Sequence, residues 1–457
     1  MGLSPGIALI GGAFMPLGRL FSIIICLFLC ISVIAIPGSC TQEAVNVSGP
    51  ARIAEQSGFH PHSRLFDGVF VVPTIFADHS WITLEYHQGI GSLYLVFHHE
   101  YGSYTATNND TGVTAVLGEN GFLHDFVDLV AIFGSAPSSV TLSFDSGDVW
   151  LNEICIFTPG QVPDYVQKWE LPADGKADLL LFSAHGDDEQ LFFAGLLPLY
   201  AGELEYRVQV VYLTNHRKDL SERCHEMLDG LYAMGVRNYP IFGPYYDKLS
   251  ESLEEAYTHM ENYGISREEL TGFVVEQLRR FRPLVAVTHD VEGEYGHGQH
   301  MLFADLLMKA VQVSKDSKSY PELAARYGVW EVPKTYLHLY PENPVTLDLD
   351  QPLGHFDGMT AYEATRYLGF PCHKTQYLSY LWYFSQGDKA ADIALYSPCQ
   401  YGLYRSTVGE DTQKDDFFEN LTPYSLLLRD EGTRQQWLRD HRSLSDVVPR
   451  ILSACTQ

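Results

Sequence analysis

One short stretch constrains the fold of this chain more than any other, because it passes from an apolar strand directly into a histidine and three acids. Residues 179–182 are apolar, Ser183 follows, and the sequence Ala-His-Gly-Asp-Asp-Glu occupies 184–189. A short apolar run of this kind is typical of a strand buried inside a parallel sheet. In open α/β sheets, ligands bind just beyond the carboxyl ends of such strands. The stretch therefore predicts an α/β domain with a polar site at His185 and the acids after it.

A second segment of the same kind supplies a candidate for the third metal ligand, which the first segment lacks. Residues 284–287 predict another buried strand, and the Gly-broken loop after it carries three histidines. His297 and His300, like His185 and Asp188, are three residues apart, a spacing that places two side chains on one face where the chain begins to coil. Imidazole nitrogens and carboxylate oxygens are ordinary zinc ligands, and three of them plus a water form a catalytic zinc site. The two segments together predict a shared metal site.

His-Gly-Asp-Asp-Glu at 185–189 and Gly-His-Gly-Gln-His at 296–300 form a pair of motifs with a known counterpart. They resemble the PIG-L/LmbE family of metal-dependent de-N-acetylases, whose first motif is usually Ala-His-Pro-Asp-Asp-Glu. Two departures bear on local geometry and substrate choice without removing a ligand. Gly186 replaces the usual proline, and Gly298-Gln299 replaces the commoner Pro-Asp.

The resemblance implies a role for each residue of the metal centre. His185, Asp188 and His300 would be the ligands of Zn²⁺, or of another divalent metal such as Fe²⁺. Asp187 would be the general base, accepting a proton from the zinc-bound water as this water attacks the amide carbon.

The same resemblance extends to residues around the metal. His297 would stabilise the oxyanion and assist proton delivery to the leaving amine. Tyr295 would steady the same intermediate, and Arg223, in Arg-Cys-His-Glu, would contact the substrate. Asp247 and His373 are candidates for positions that support the ligands, although His373 fits a core position equally well. A structural role is the simpler expectation for the other histidines near these motifs, His216, His225 and His289.

Residues 1–40 predict an export signal or a membrane anchor. An almost continuous apolar run covers residues 20–36 and follows Arg19. Its 17 residues fall at the lower end of the length that spans a bilayer, so cleavage and retention both stay open. Cys40 adds lipidation as a third alternative. We expect an extracytoplasmic protein, secreted or held at the cell surface with membrane association through this segment.

Charge and cysteine usage narrow the classes of partner. Fifty-seven acids against thirty bases give a formal net charge of −27, which repels phosphate backbones and argues against a nucleic-acid partner. No Gly-x-Gly-x-x-Gly follows the strand at 179–183, so a dinucleotide site is not indicated. Cys372 with Cys399 is the most plausible disulfide in an exported chain.

Short aromatic and β-branched runs between Gly, Asn and Asp clusters predict an antiparallel sandwich over residues 59–160. Leu65-Phe-Asp-Gly68 and 152–157 resemble the discoidin or galactose-binding-like jelly roll, which implies a carbohydrate-binding module. Ordinary core packing explains the same aromatic residues more simply. The predicted fold class is thus a jelly-roll-like sandwich followed by a Rossmann-like, doubly wound, mostly parallel α/β domain.

The predicted order along the chain has six parts. They are the signal or anchor at 1–40, a linker at 41–58, the sandwich at 59–160, a linker at 161–176, the deacetylase-like domain at 177–420 and a helical cap at 421–457. Within the α/β domain we expect strands at 177–183, 207–214, 238–242 and 284–288, and helices at 190–199, 220–234, 267–281 and 299–313.

The motifs indicate an exported, metal-dependent hydrolase that removes an acetyl group from an N-acetylated sugar of the N-acetylglucosamine type. One alternative is a related amidase acting on a non-sugar or thiol-conjugate amide. The other is a non-catalytic, surface carbohydrate-binding protein. The retention of Asp187 beside the ligands argues against the last, since a binding module needs no general base.

Overall fold

The computed structural model describes residues 42–57, 64–172, 174–215, 221–429 and 432. The predicted export segment, Cys40, His216 and most of the predicted C-terminal cap lie outside these residues. Among the residues described, none of the helices combines the length and the apolar character needed to cross a bilayer.

The protein has two structural parts, of which the first half, with strands between residues 52 and 157, is an antiparallel β-sandwich. One sheet has the strand order β1-β3-β8-β5-β6 and the other has the order β2-β9-β4-β7. Alternating side chains along these strands point into an apolar core between the sheets. The elements are β1 (Arg52–Gln56), β2 (Thr74–Phe76), β3 (Ser80–Glu85), β4 (Ser92–Phe97), β5 (Tyr104–Asn108), β6 (Thr114–Leu117), β7 (His124–Asp128), α1 (Leu129–Phe133), β8 (Ser139–Phe144) and β9 (Val149–Phe157).

The sandwich begins earlier than the sequence indicated. Strand β1 lies inside the expected linker 41–58, because it pairs with β3 along the edge of the larger sheet and Arg52 forms an ion pair with Glu85. The expected linker 161–176 also packs against the protein, with Trp169 buried in the core of the second half.

The second half is a six-stranded sheet in the order β11-β10-β12-β13-β15-β14, with helices on both faces. The first four strands are parallel, while β15 and β14 are antiparallel. The strands are β10 (Leu179–Ser183), β11 (Val208–Tyr212), β12 (Val285–Thr288), β13 (Lys334–His338), β14 (Pro344–Thr346) and β15 (Gln400–Ser406). The α-helices are α2 (Ser221–Ala233), α3 (Leu253–Asn262), α4 (Arg267–Phe281), α5 (Gly298–Val313), α6 (Pro321–Tyr327), α7 (Ala361–Ala364), α8 (Tyr377–Phe384) and α9 (Tyr424–Leu427).

Shorter helical turns complete the second half. Those of 3₁₀ type are Asp188–Gln190, Glu294–Gly296, Phe370–Cys372, Lys374–Gln376 and Ala390–Asp392, and those of π type are Pro198–Glu203 and Thr365–Gly369.

Three local expectations for this half were wrong. The segment 190–199 is not an α-helix, because Gly195 has a left-handed backbone (φ +88°) that interrupts it. The segment 238–242 makes only isolated bridges to its neighbours, since Pro240 has no N–H for a regular ladder. Cys372 and Cys399 are both free thiols rather than a disulfide.

The two halves meet through aromatic and imidazole side chains. The rings of Phe122 and Tyr239 stack with their centroids 4.4 Å apart, and the Leu123 N–H donates to the Tyr239 hydroxyl. His124 Nε2 lies 2.8 Å from His225 Nδ1 on α2. The sandwich therefore packs on the same helix that follows strand β11 of the α/β half.

Candidate metal centre

The site forms where two neighbouring parallel strands end. Strands β10 and β12 pair in register, from Leu179 opposite Val285 to Leu181 opposite Val287. Their carboxyl ends therefore lie at the same edge of the sheet, and the loops that follow carry the two histidine motifs. The first loop folds back at once, because the His185 N–H donates to Asp188 Oδ2 at 2.9 Å.

Three side-chain atoms from these loops form a nearly equilateral triangle. His185 Nδ1 lies 3.0 Å from Asp188 Oδ2 and 3.2 Å from His300 Nε2, and His300 Nε2 lies 3.2 Å from Asp188 Oδ2. Ligands about 2.0–2.2 Å from a tetrahedral Zn²⁺ would be only slightly further apart, about 3.3–3.6 Å. All three side chains are buried. Their donor types and spacing fit a divalent cation.

Hydrogen bonds select which ring nitrogen of each histidine faces this triangle. His300 Nδ1 lies 2.7 Å from Glu294 Oε2, and His185 Nε2 lies 2.8 Å from Gln299 Oε1. Each of these oxygens accepts the proton of the outer nitrogen, so in the neutral form of each ring the nitrogen facing Asp188 has the lone pair that a metal needs. This is the usual way in which proteins orient metal-binding histidines.

Glu294 lies behind the site as the centre of a buried network. Its oxygens accept from three imidazoles, with His289 Nδ1 at 2.9 Å, His300 Nδ1 at 2.7 Å and His338 Nδ1 at 2.6 Å. All four side chains are fully buried. Although burial alone would raise the pKa of Glu294, these imidazoles hold it well below its usual value.

The sequence did not point to Glu294 or His338, and it favoured a structural role for His289. The structure places His289 Nε2 3.6 Å from Asp188 Oδ2, next to the triangle. One signal was available for His338, which is the last residue of β13, the neighbour of β12 in the sheet. A polar side chain at that strand end faces the same edge.

Asp187 lies beside the triangle and faces a cavity of about 470 Å³. Burial and the neighbouring Asp188 raise the pKa of Asp187, while Arg223 opposes this rise from 3.4 Å. For Asp188 the balance is reversed. Burial would raise its pKa, but His300 and His185 hold the value well below the usual range.

His297 and Tyr295 line the same cavity. The ring centroid of His297 is 4.8 Å from that of His185, and no residue in the described part of the chain bonds its Nδ1. Burial lowers the pKa of His297 to about 3, so the imidazole is neutral. Tyr295 has a left-handed backbone (φ +49°) that turns its half-exposed ring over the cavity.

The remaining predicted residues fall into two groups. Arg223 and Asp247 line the cavity, and Asp247 Oδ1 is 3.5 Å from His185 Nε2. His373 is buried away from the cavity, with its Nε2 3.1 Å from Glu189 Oε1. Burial would lower the pKa of His373, but Glu189 raises it by more.

The two glycine departures from the usual motif have local steric causes. A Cβ on Gly186 would come within 2.3 Å of the sulfur of Met227 on α2. A Cβ on Gly298 would come within 2.5 Å of the Ser252 carbonyl oxygen, and the Gly298 N–H donates to the Ser250 carbonyl at 2.7 Å. Both glycines let another segment approach the site closely.

Comparison with known proteins finds relatives of the α/β part of the chain. Residues 180–311 match the family model described as PIG-L: GlcNAc-PI de-N-acetylase. The chain is 26% identical over 214 residues to 1D-myo-inositol 2-acetamido-2-deoxy-alpha-D-glucopyranoside deacetylase 1 of Catenulispora acidiphila, covering 42% of this chain and 65% of that relative. It is 24% identical over 306 residues to the deacetylase of the same description from Streptomyces scabiei, covering 56% and 93%. The chain thus spans slightly less than two thirds of the Catenulispora protein.

Solved structures show weaker likenesses. N,N'-diacetylchitobiose deacetylase from Pyrococcus horikoshii matches with 15% identity and a TM-score of 0.33, covering 50% of this chain and 83% of that one.

Proposed function

We propose that this chain is a de-N-acetylase that releases acetate from an N-acetylated sugar of the N-acetylglucosamine type, because residues 180–311 match the PIG-L family model. The observation that carries the proposal is the triangle of His185, Asp188 and His300 with Asp187 beside it. The relatives add support, because both are described as deacetylases of a 2-acetamido-2-deoxy-glucopyranoside.

In this proposal His185, Asp188 and His300 hold Zn²⁺. When bound, the cation supplies polarisation of the amide carbonyl and a lower pKa for a water molecule. The overall reaction consumes one water, breaks the amide C–N bond, and yields acetate and a free amine.

Asp187 is the proposed general base. Its carboxylate takes a proton from the water as the water's oxygen bonds to the acetamido carbon, and the proton is then available for the departing nitrogen. The raised pKa of Asp187 favours this uptake, because the charged carboxylate is less stable in its buried position. Arg223, 3.4 Å away, opposes this rise and so favours the ionised carboxylate that can accept the proton.

His297 and Tyr295 are the proposed donors to the developing oxyanion. The low pKa of His297 keeps its imidazole neutral, with one N–H to donate. Burial raises the pKa of Tyr295, so its phenol also retains a proton at neutral pH. Neither donor adds a fixed charge that would hold acetate after the reaction.

The cavity suits a sugar ring in its shape and lining. Trp382 of α8 lines it and offers a flat face for stacking, while Gln376 and Ser379 add polar groups for hydroxyls. An apolar face with a few polar groups is typical of ligand pockets of this size.

The decisive experiment compares Asp187→Asn with His300→Ala in zinc-loaded protein. We expect Asp187→Asn to bind Zn²⁺ as the wild type does but to release acetate about 10²- to 10⁴-fold more slowly. His300→Ala should lose both zinc affinity and activity, because it removes a ligand. The assay is acetate release from a panel of N-acetylated sugars.

Asp290→Asn is the matched control, since Asp290 lies in the loop after β12 but does not line the cavity. It should leave both zinc affinity and rate unchanged. If the zinc-loaded wild type releases acetate from none of the sugars, the proposal is wrong.

We also propose that the chain acts outside the cytoplasm, because of the apolar run at 20–36. Fractionation of cells expressing the full chain with a C-terminal tag tests this. Recovery in the soluble cytoplasmic fraction alone would contradict it.

A further inference from the structure

Gln299 occupies a position between the proposed metal site and a neighbouring loop. It is the second residue of α5 and is 1% exposed. Its Oε1 lies 2.8 Å from His185 Nε2, and its Nε2 donates to the Tyr246 carbonyl at 2.9 Å. A carbonyl can only accept, so this second bond fixes the amide with its oxygen towards His185.

The fixed amide selects the tautomer of neutral His185. Because Gln299 Oε1 can only accept, His185 Nε2 must carry the ring proton, and a neutral imidazole then has a lone pair on Nδ1. That nitrogen is the one that faces Asp188 and His300. Gln299 thus presents His185 in the form that binds a cation.

The same residue holds the loop that follows Phe242. Besides the bond to Tyr246, Gln299 Oε1 lies 3.4 Å from the Lys248 N–H, and the adjacent Gly298 N–H donates to the Ser250 carbonyl. Between these attachments lies Asp247, which lines the cavity 3.5 Å from His185. Gln299 therefore contacts both a proposed ligand and the backbone on each side of a cavity-lining acid.

We propose that Gln299 is a positioning residue that acts on the cation site through His185 and holds segment 246–250 so that Asp247 faces the cavity. The proposal rests on the proposed metal site. A neutral amide suits this position, since four carboxylates (Asp187, Asp188, Asp247 and Glu294) already surround His185 and His300. A fifth would add negative charge and would lose the N–H that Gln299 donates to the Tyr246 carbonyl.

The test measures the zinc affinity of the full chain by competition with a chromophoric chelator. Gln299→Leu should weaken binding by about 10- to 100-fold, the usual effect of removing a partner of a metal-binding histidine. Gln299→Glu keeps an acceptor oxygen and should retain affinity within several-fold. Gln312→Leu is the matched control, an exposed glutamine further along α5, and should change nothing.

Hydrogen exchange gives a second measurement that does not depend on activity. The amides of segment 246–250 should exchange faster in Gln299→Leu than in the wild type or Gln312→Leu, because two attachments of the loop are lost. If Gln299→Leu does not fold, Gln299→Met replaces it, with a side chain of similar length and no acceptor oxygen.

The outcomes separate this inference from the proposed function. If the wild type binds Zn²⁺ and Gln299→Leu binds it equally well with unchanged exchange, the positioning role is wrong and the metal site stands. If Gln312→Leu weakens binding as much as Gln299→Leu, the role is likewise wrong. If the wild type binds no Zn²⁺, this inference and the proposed function fall together.

Discussion

Three imidazoles donate to the two carboxylate oxygens of Glu294, and none of the four side chains reaches solvent. Glu294→Gln keeps the shape but leaves one acceptor oxygen and an NH₂ group that cannot accept. At least one buried imidazole N–H then loses its partner. We expect the free energy of unfolding to fall by about 3–5 kcal/mol, as when one partner is removed from a buried ionic group.

Denaturant unfolding of the metal-free protein measures this change. Glu292→Gln serves as the control, because Glu292 is exposed in the same loop and its carboxylate makes no hydrogen bond within the described part of the chain. Equal stability of the two variants would show that the histidines do not depend on Glu294.

Among individual residues, the sequence predicted those that belong to the two motifs. His185, Asp188 and His300 do come together, because adjacent parallel strands deliver both loops to one edge. The network around Glu294 was not anticipated, since His289, Glu294 and His338 come from separate segments and no local spacing connects them. Buried partners of this kind are defined only once the strand order is known.

Helix α5 begins with Gly298, at a position where the motif usually has proline. Proline is normally favourable at the first position of a helix, because the N–H it lacks would be unpaired there. In this protein the Gly298 N–H has a partner in the Ser250 carbonyl, and a Cβ would lie 2.5 Å from the Ser252 carbonyl oxygen. Restoring the common residue should therefore destabilise the protein.

We expect Gly298→Pro to lower the melting temperature and to loosen the segment 246–250. Gly298→Ala retains the N–H and should lower the melting temperature less. The difference between the two variants then measures the lost hydrogen bond, since both introduce a Cβ. Thermal unfolding of both variants checks the order. A stabilising effect of proline would contradict the tight approach of the loop.

Helices and strands with a regular apolar periodicity were predictable from the sequence. Segments whose pattern is interrupted by a single glycine or proline were not. Helices α4 and α5 and strands β10, β11 and β12 lie close to their expected ranges, since their apolar patterns match their packing. The segment 190–199 has a helical pattern too, but Gly195 turns the chain against Leu349. Its apolar residues reach the core through turns rather than along one helix face.

At the scale of the whole molecule, buried histidines connect the two halves. The Tyr94 hydroxyl lies 2.5 Å from His124 Nδ1, and His124 Nε2 lies 2.8 Å from His225 Nδ1. Burial lowers the pKa of His225 to about 3 and holds that of His124 well below its usual value. Both histidines are neutral in the folded protein at physiological pH.

This neutrality predicts a pH dependence of stability with a definite sign. The unfolded chain binds protons on these histidines near pH 6.5, whereas folded His225 binds one only near pH 3. Unfolding is therefore favoured as the pH falls below about 6.5, by up to about 1.4 kcal/mol per pH unit for each histidine. His225→Asn keeps a hydrogen-bonding amide near the position of Nδ1 but does not titrate, so the variant should lose one histidine's share of this slope.

The measurement is the free energy of unfolding of wild type and His225→Asn between about pH 7 and about pH 5. As the pH falls, the free energy of unfolding should decrease less in His225→Asn than in the wild type. Parallel curves would mean that His225 is not neutral and buried in the folded protein.

This interface could not have been read from the sequence, where Phe122, Trp169 and Tyr239 have the appearance of ordinary core or linker residues. Periodicity locates the sandwich and the α/β sheet separately, but it contains no information on which surfaces of the two meet. The stacking of Phe122 on Tyr239 and the burial of Trp169 depend on side chains from three distant segments.

The stack between Phe122 and Tyr239 also bears on how such a chain can change during evolution. Exchange of the sandwich for an unrelated module would uncover Tyr239 and Trp169 at once, and a newly bare aromatic surface promotes association with other molecules. We therefore expect the two halves to be inherited as a unit, with new specificity arising through substitutions around the cavity rather than through exchange of the sandwich.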